Sequence, residues 1–363
     1  MPVRVEGRLS KLRAELEAQG LDGLIVTHLP NIRYLTGFTG SAGVLLVFHD
    51  GVVLLTDFRY EVQASSEISP DVRVEVVQSD TWARLGNIIG DSPRVGRLGF
   101  ESAIVTVAQE AKLRECRPRI QLEPVEDLVE RLRASKDEDE IASIRQAASL
   151  AAQALEATLP AITIGVRELD VAARLENELR VRGSEWHPFR TIVACGPRTA
   201  LPHAGASEKT LQAGDFVLID FGAQVDGYCA DLTRMFVVGA RATEKQKTVY
   251  DLVCRAQKNA LRHIQSGMTG RDADRLARRL IEEQGFGDQF GHSLGHGLGL
   301  EVHEAPRLSK SNESPVPEGA VVTIEPGVYI PGWGGVRIED DVLVTNGGAK
   351  LLSDGNTELV ELV

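Results

Sequence analysis

Thirteen residues constrain this chain more than any others: Gly291-His292-Ser293-Leu294-Gly295-His296-Gly297-Leu298-Gly299-Leu300-Glu301-Val302-His303. They hold three of its eight histidines, and glycine stands at 291, 295, 297 and 299. His292 and His296 are four apart, a spacing that would put two metal ligands on one face of a helix. Each glycine costs a helix interior up to about 1 kcal/mol, so a helix is disfavoured. An extended strand is predicted instead. There residues 292 and 296 again share a face, and the missing side chains let another backbone or a ligand approach. Three imidazoles in so open a backbone point to metal or substrate chemistry more than to incidental histidines. The rest of the chain must then supply partners.

At 363 residues the chain is long for one core, and two domains are expected. Its formal charge of -12 argues against nucleic acid or an anionic membrane as a main partner. The four cysteines, Cys116, Cys195, Cys229 and Cys254, form no C-x-x-C pair, which points to a reducing compartment without disulfides. Cys195 or Cys229 as a nucleophile is weighed against a small buried apolar side chain, and the second reading is preferred. The N-terminus reads as a charged amphipathic helix rather than a signal segment. No stretch approaches the roughly eighteen apolar residues of a membrane helix, so the expected location is the cytoplasm.

The first part of the chain alternates helix and strand patterns. Helices are predicted over 8–19, 57–66, 81–89 and 106–116. Strands are predicted over 21–27, 44–48, 52–56, 72–77 and 95–100, with Asp50-Gly51 as a hairpin turn. This makes an α/β domain over 1–126. Residues 125–159 give the longest helical pattern, with a fresh start at Ser135 capped through Glu138. Residues 127–363 form the second domain. It has helices over 167–182, 246–266 and 270–284, the last capped by Thr269, and strands over 191–194, 216–221, 228–237, 321–325 and 341–345. Without a βαβ rhythm or a visible internal repeat, it is expected to be α+β.

Four carboxylates stand out. Val217-Leu218-Ile219-Asp220 is an apolar strand running into an acid, and Asp231 follows eleven residues later across a turn at Asp226-Gly227. Val321-Val322-Thr323-Ile324-Glu325 repeats the pattern, stopped by Pro326-Gly327, and Glu339 follows fourteen residues later. A buried strand has no structural use for a carboxylate unless it is paired or binds a metal. Asp220-Phe221-Gly222 also spells a kinase tripeptide, but no His-Arg-Asp loop or glycine-rich phosphate loop accompanies it. Glu339 could simply pair with Arg337, which shares its face in an extended segment. Four gathered carboxylates would repel unless cations neutralise them. An oxygen-rich set with one imidazole suits Mn²⁺, Co²⁺ or Zn²⁺, and bridging carboxylates could hold two such ions about 3.5–4 Å apart to activate a water.

The order Asp220, Asp231, His296, Glu325, Glu339 resembles the metallopeptidases of the pita-bread fold. Its spacing is similar to the Xaa-Pro peptidases among them, prolidase and aminopeptidase P. The N-terminal part, with Asn31-Ile32-Arg33-Tyr34-Leu35-Thr36-Gly37-Phe38, also resembles that branch. Methionine aminopeptidases lack such a domain, and creatinase lacks the metal ligands.

The resemblance implies a pita-bread catalytic domain behind a creatinase-like N-terminal domain. It implies that Asp220 chelates one metal, that His296 and Glu325 bind the other, and that Asp231 and Glu339 bridge the two. Glu325 would also shuttle the proton during hydrolysis of the bond preceding proline. His203, in Ala200-Leu201-Pro202-His203-Ala204, matches the family's substrate-side histidine. His292 and His303 would bind the substrate carbonyl and the developing oxyanion. Arg307, four residues past His303, resembles the prolidase arginine that grips a C-terminal proline carboxylate. Arg33 is a second candidate beside the site. Arg337 would orient Glu339, with Thr233 in a similar supporting place. The implied activity is that of a manganese-dependent Xaa-Pro dipeptidase, and the implied assembly is a homodimer. Aminopeptidase P activity on longer peptides is the close alternative. A non-catalytic binding module would be expected to have lost ligands, and a phosphoesterase would want a basic pocket.

Overall fold

The computed structural model describes residues 5–92, 95–116, 119–353 and 357–363. The chain divides into two compact units, Met1–Arg133 and Ala134–Val363.

The first unit is α/β. Its elements are α1 (Val5–Ala18), β1 (Gly23–Val26), α2 (Leu29–Thr36), β2 (Val44–Phe48), β3 (Val52–Thr56), α3 (Glu61–Glu67), β4 (Val72–Val76), α4 (Thr81–Gly90), β5 (Arg97–Glu101), α5 (Val107–Cys116), β6 (Gln121–Val125) and α6 (Leu128–Arg133). They build one mixed sheet in the order β4-β3-β2-β1-β5-β6. The apolar runs that marked β2 and β3 pair as the expected antiparallel hairpin. Strands β3 and β4, and β5 and β6, pair in parallel through the helices between them.

Two elements of this first unit were not predicted from the sequence. One is β6. The other is α2, which starts at Leu29-Pro30 and stops at Gly37, a glycine at φ 81° whose N–H donates to the Arg33 carbonyl. Proline just inside the start and glycine just past the end are a helix's own punctuation. The division between units falls after Arg133 rather than after residue 126, because α6 packs on α1 and α2.

The second unit holds α7 (Glu138–Thr158), α8 (Glu168–Val181), β7 (Ile192–Cys195), β8 (Phe216–Phe221), β9 (Gln224–Val225), β10 (Tyr228–Cys229), β11 (Leu232–Val238), α9 (Glu244–His263), α10 (Gly270–Glu283), β12 (Gly295–Gly297), β13 (Glu304–Leu308), β14 (Val321–Ile324), β15 (Gly327–Ile330), β16 (Gly334–Arg337), β17 (Asp340–Thr345), β18 (Gly348–Leu351) and β19 (Val360–Leu362). The long helical pattern over 125–159 is broken between α6 and α7. Asp137, not Ser135, caps α7, and its capping box closes with Glu140. Thr269 caps α10 as expected, accepting from the Asp272 N–H.

Although no repeat is visible in the sequence, one order of elements occurs twice in this unit. Helices α7 and α8 precede the strand row β7-β8-β11, with the small β9-β10 hairpin inserted between β8 and β11. Helices α9 and α10 precede the row β12-β14-β17, with the β15-β16 hairpin inserted between β14 and β17. In the first row, alternation sends Val217, Ile219 and Phe221 into the core under α7 and α8, while Phe216 and Leu218 enter the core shared with α9 and α10. In the second, Val322, Ile324, Val342 and Val344 enter that latter core.

The predicted strand over the histidine stretch is cut down to β12. Its glycines admit neighbouring backbone on both sides. A Cβ on Gly295 would fall on the Thr323 carbonyl, and one on Gly297 on that of Ala305. His292 precedes the strand rather than sharing it. Cys195, Cys229 and Cys254 are free and buried, and the side chain of Cys116 lies outside the described residues. Among the described residues, no helix is long and apolar enough to cross a membrane.

Candidate active site

The carboxylates sit where each inner strand pair opens. Side-chain alternation along β8 puts Asp220 on the face opposite Ile219 and Phe221. Across the antiparallel pair it faces Thr233 of β11, and Asp231 lies one residue before that strand. The ten residues between Asp220 and Asp231 turn back through Asp226 at φ 49° and Gly227 at φ 76°, the two left-handed positions of a tight hairpin turn. In the second row Glu325 lies one residue past β14 and Glu339 one before β17.

These segments converge on one cavity of about 580 Å³. Its lining includes Asp220, Asp231, Glu325 and Glu339, the histidines 203, 292, 296 and 303, and Arg307 and Arg337. So ten of the twelve residues singled out from the sequence line the same space. Thr233 stands directly behind it. Its hydroxyl donates to Glu339 Oε2 at 2.5 Å and accepts from Arg337 Nε at 3.1 Å. Arg33 is half-buried in the last turn of α2, in the first unit, and every lining residue belongs to the second.

The donor set fits divalent cations. Asp231, His296 and Glu339 each offer a ligand atom, all within 4.8 Å of one another. Among the described residues, buried Asp220 Oδ1 and Asp231 Oδ1 have no hydrogen-bond partner. His296 adds a sharper test. Its Nδ1 lies 3.1 Å from the Gly297 carbonyl, which can only accept, so Nδ1 carries the proton. Desolvation, then the charge of His303, lowers its pKa to about 4, so the ring is neutral. The Nε2 lone pair then stands 3.3 Å from Glu325 Oε1 and 3.8 Å from Asp231 Oδ2. A lone pair among carboxylate oxygens is repulsive unless a cation, or a proton held on one of the acids, lies between them.

The carboxylates report the same frustration. Desolvation, then the neighbouring acids, pushes Asp231 and Glu339 well above the ordinary carboxylate range. Desolvation pushes Glu325 up to about 8. Bound cations would reverse these shifts. Buried Asp341 is also pushed up by desolvation, and its Oδ2 accepts the Asp231 N–H at 3.1 Å.

Several supporting residues were not found from the sequence. Tyr329 is the chief one. Arg337 donates to the Tyr329 hydroxyl at 2.8 Å, and that hydroxyl lies 2.9 Å from His292 Nε2. His292 Nδ1 lies 2.8 Å from the Ser293 carbonyl and must donate to it. Desolvation lowers His292 to about 4 and raises Tyr329 to about 12, so the imidazole is neutral and the phenol protonated. The hydrogens therefore run one way: Arg337 to Tyr329, Tyr329 to His292, His292 to Ser293. This occupies both ring nitrogens of His292, the residue expected to meet substrate. The arginine also pairs with Asp220 and donates to the Pro202 carbonyl at 3.2 Å.

Beneath His292, the buried pair Asp274–Arg278 holds the segment from behind. Arg278 donates to the carbonyls of Phe290 and His292, and Asp274 accepts the Leu294 N–H. His303 rests edge-on against His296, with ring centroids 4.3 Å apart. Desolvation, then Arg307, lowers its pKa. His203 is exposed to the cavity on the loop after β7. Both ends of that loop are tied to one buried carboxylate. Glu168 accepts from the Cys195 N–H, Arg198 Nε and both the N–H and hydroxyl of Ser207. No local pattern marks Tyr329 or Glu168: His292 lies 37 residues from Tyr329, and Cys195, Arg198 and Ser207 lie 27 to 39 residues past Glu168.

Residues 142–346 match the model of metallopeptidase family M24, and residues 8–135 match the creatinase/prolidase N-terminal domain. The chain is 41% identical to an uncharacterized peptidase, YqhT, of Bacillus subtilis, across 98% of this chain and 100% of that protein. A solved Xaa-Pro dipeptidase from Bacillus anthracis is similar at a TM-score of 0.95 and 39% identity, over 99% of this chain and 100% of that one. An X-Pro aminopeptidase from Thermotoga maritima is similar at 0.91 and 36%, over 98% and 99%. With its carboxylates and imidazole gathered in one cavity, the chain is a metallopeptidase of family M24, carrying a creatinase/prolidase-type N-terminal domain.

Proposed function

We propose that this metallopeptidase hydrolyses Xaa-Pro dipeptides with two divalent ions per chain. In this reading Asp220 would hold one ion, His296 and Glu325 would hold the other, and Asp231 and Glu339 would serve both. The oxygen-rich donor set favours Mn²⁺, with Co²⁺ or Zn²⁺ as substitutes. The ions would supply Lewis acidity and a water activated near neutral pH. Glu325 takes the water's proton and passes it to the proline nitrogen as the C–N bond breaks, while the hydroxyl stays on the carbonyl carbon. His203 and neutral His303 donate hydrogen bonds to the substrate carbonyl as it gains charge. His292 acts through Tyr329, keeping Arg337 and Asp220 in place.

Arg307 carries the choice of a dipeptide. It faces His296 across the β12–β13 pair and lines the cavity. Its guanidinium is exposed and has no hydrogen-bond or ion-pair partner among the described residues. A free guanidinium beside a peptidase centre is suited to a substrate's terminal carboxylate. The Thermotoga relative favours a second reading, an aminopeptidase that lets the chain continue past proline.

Assay of Ala-Pro against Ala-Pro-Ala with Mn²⁺ added decides between them. The dipeptide should be preferred, and Arg307→Ala should raise KM for it far more than for the tripeptide. Preference for Ala-Pro-Ala, with equal effects of the substitution, would establish the aminopeptidase.

A further inference from the structure

Among the described residues the cavity has a second unengaged cation, contributed by the other strand row. Arg190 lines it together with Phe189 and Ile192, on the segment leading into β7. Arg307 comes from β13, beside β12 in the other strand row. Each half of the catalytic unit thus contributes one exposed arginine. Among the described residues the Arg190 side chain, like that of Arg307, has no hydrogen-bond or ion-pair partner.

Arg190 is nevertheless placed. Its guanidinium lies against Gly205, where a Cβ would stand 2.5 Å from Cζ and under 3 Å from both terminal nitrogens. Gly205 is itself fixed, because Arg198 donates to its carbonyl at 2.7 Å. Only the bare glycine face leaves room for the guanidinium there. The third cavity arginine, Arg337, is consumed by Asp220, Thr233, Tyr329 and Pro202.

We propose that Arg190 is a specificity-determining residue that selects dipeptides whose first residue is acidic, aspartyl-proline and glutamyl-proline. This rests on the dipeptidase reading. If Arg307 holds the proline carboxylate, the first residue extends to the wall built by Phe189, Arg190 and Ile192. Its methylenes can lie against Phe189 and Ile192, and its carboxylate meets Arg190 in a charge-assisted pair of fixed fork geometry. A lysyl side chain brought to the same wall meets a like charge. A half-exposed charge pair of this kind changes selectivity by about tenfold.

The test compares kcat/KM for Glu-Pro, Ala-Pro and Lys-Pro in the wild-type enzyme, Arg190→Gln and Arg190→Glu. The wild type should favour Glu-Pro over Lys-Pro. Arg190→Gln should lower that ratio about tenfold, and Arg190→Glu should turn it below one. The side chain is exposed, so both variants should keep the wild-type unfolding temperature, which is measured alongside. A Glu-Pro to Lys-Pro ratio that neither substitution moves overturns the role of Arg190 alone. No turnover of any of the three by the wild-type enzyme overturns the dipeptidase reading and this inference with it.

Discussion

The two halves of the catalytic unit repeat one plan and differ in what they hang on it. Each packs two helices against a strand row, and each brings a pair of acids to the mouth of its inner hairpin: Asp220 and Asp231, then Glu325 and Glu339. The first half adds one histidine, His203, on a loop. The second adds three, at 292, 296 and 303, around a glycine-thinned strand. The halves are also stitched crosswise. Thr233 of the first binds Glu339 of the second, Arg337 of the second binds Asp220 of the first, and Arg234 reaches the Glu339 carbonyl and Asp340. Neither half owns a complete donor set. The repeated scaffold supplies the acids, and the departures from the repeat supply the imidazoles that make the acids useful.

The largest expected effect breaks this arrangement at the seam. Asp231→Asn and Glu339→Gln remove the proposed bridging ligands, one from each half, and both should lose both ions. Asp220→Asn and His296→Ala should each lose one. Metal analysis of dialysed protein reads this directly. Activity should fall at least about 10³-fold in the bridging variants, since metal-ion stabilisation of several kcal/mol is at stake. If Glu339→Gln retained the same metal content as His296→Ala, the two halves would not be joined through Glu339.

A second difference concerns protonation. Burial keeps the second half's His292 neutral, with a pKa lowered to about 4 by desolvation and then by Arg337. Between that value and the ordinary 6.5, the unfolded chain binds more protons than the folded one. Stability from this group is therefore complete above pH 6.5 and is lost as pH falls toward 4. In metal-free protein the wild type should lose about 2–3 kcal/mol more than His292→Gln on going from pH 7.5 to 4.5. Urea unfolding at the two pH values measures it. Parallel losses in both proteins would show that His292 is not the buried neutral group described.

The same contrast explains what could be read in advance. Asp220 and Glu325 were legible because an apolar strand running into a carboxylate is locally anomalous. The Asp226-Gly227 turn and the Thr269 cap were legible because their chemistry lies within a few residues. The cap of α7 was not. Ser135 and Asp137 each stand three residues before an acid, and the choice is made at long range. Lys136 is buried against Glu304 with its side chain 1% exposed, and its N–H donates to the Gly319 carbonyl. That holds 134–136 in passing backbone and leaves Asp137 to start the helix. The engagement of His292 was equally hidden, because its partner Tyr329 is 37 residues away on another hairpin. Local anomalies announce which residues matter. Their partners are set by packing that no local pattern encodes.

The smallest expected effect tests how the lone histidine of the first half is held. His296 is fixed by a strand between two others, β13 and β14. His203 depends on a loop whose two ends meet at Glu168, a carboxylate with no solvent exposure. Glu168→Gln keeps the shape but gives up charge-assisted bonds to Arg198 and to both ends of the loop. It should lower kcat about tenfold, the usual cost of losing a supporting partner, with little change in metal content. The discriminating step is a double-mutant cycle with His203→Ala. If Glu168 acts by positioning His203, its substitution costs almost nothing further once that imidazole is gone. Equal, additive losses in the two backgrounds would mean that Glu168 serves the fold alone. The first half would then hold its histidine by some means other than this knot.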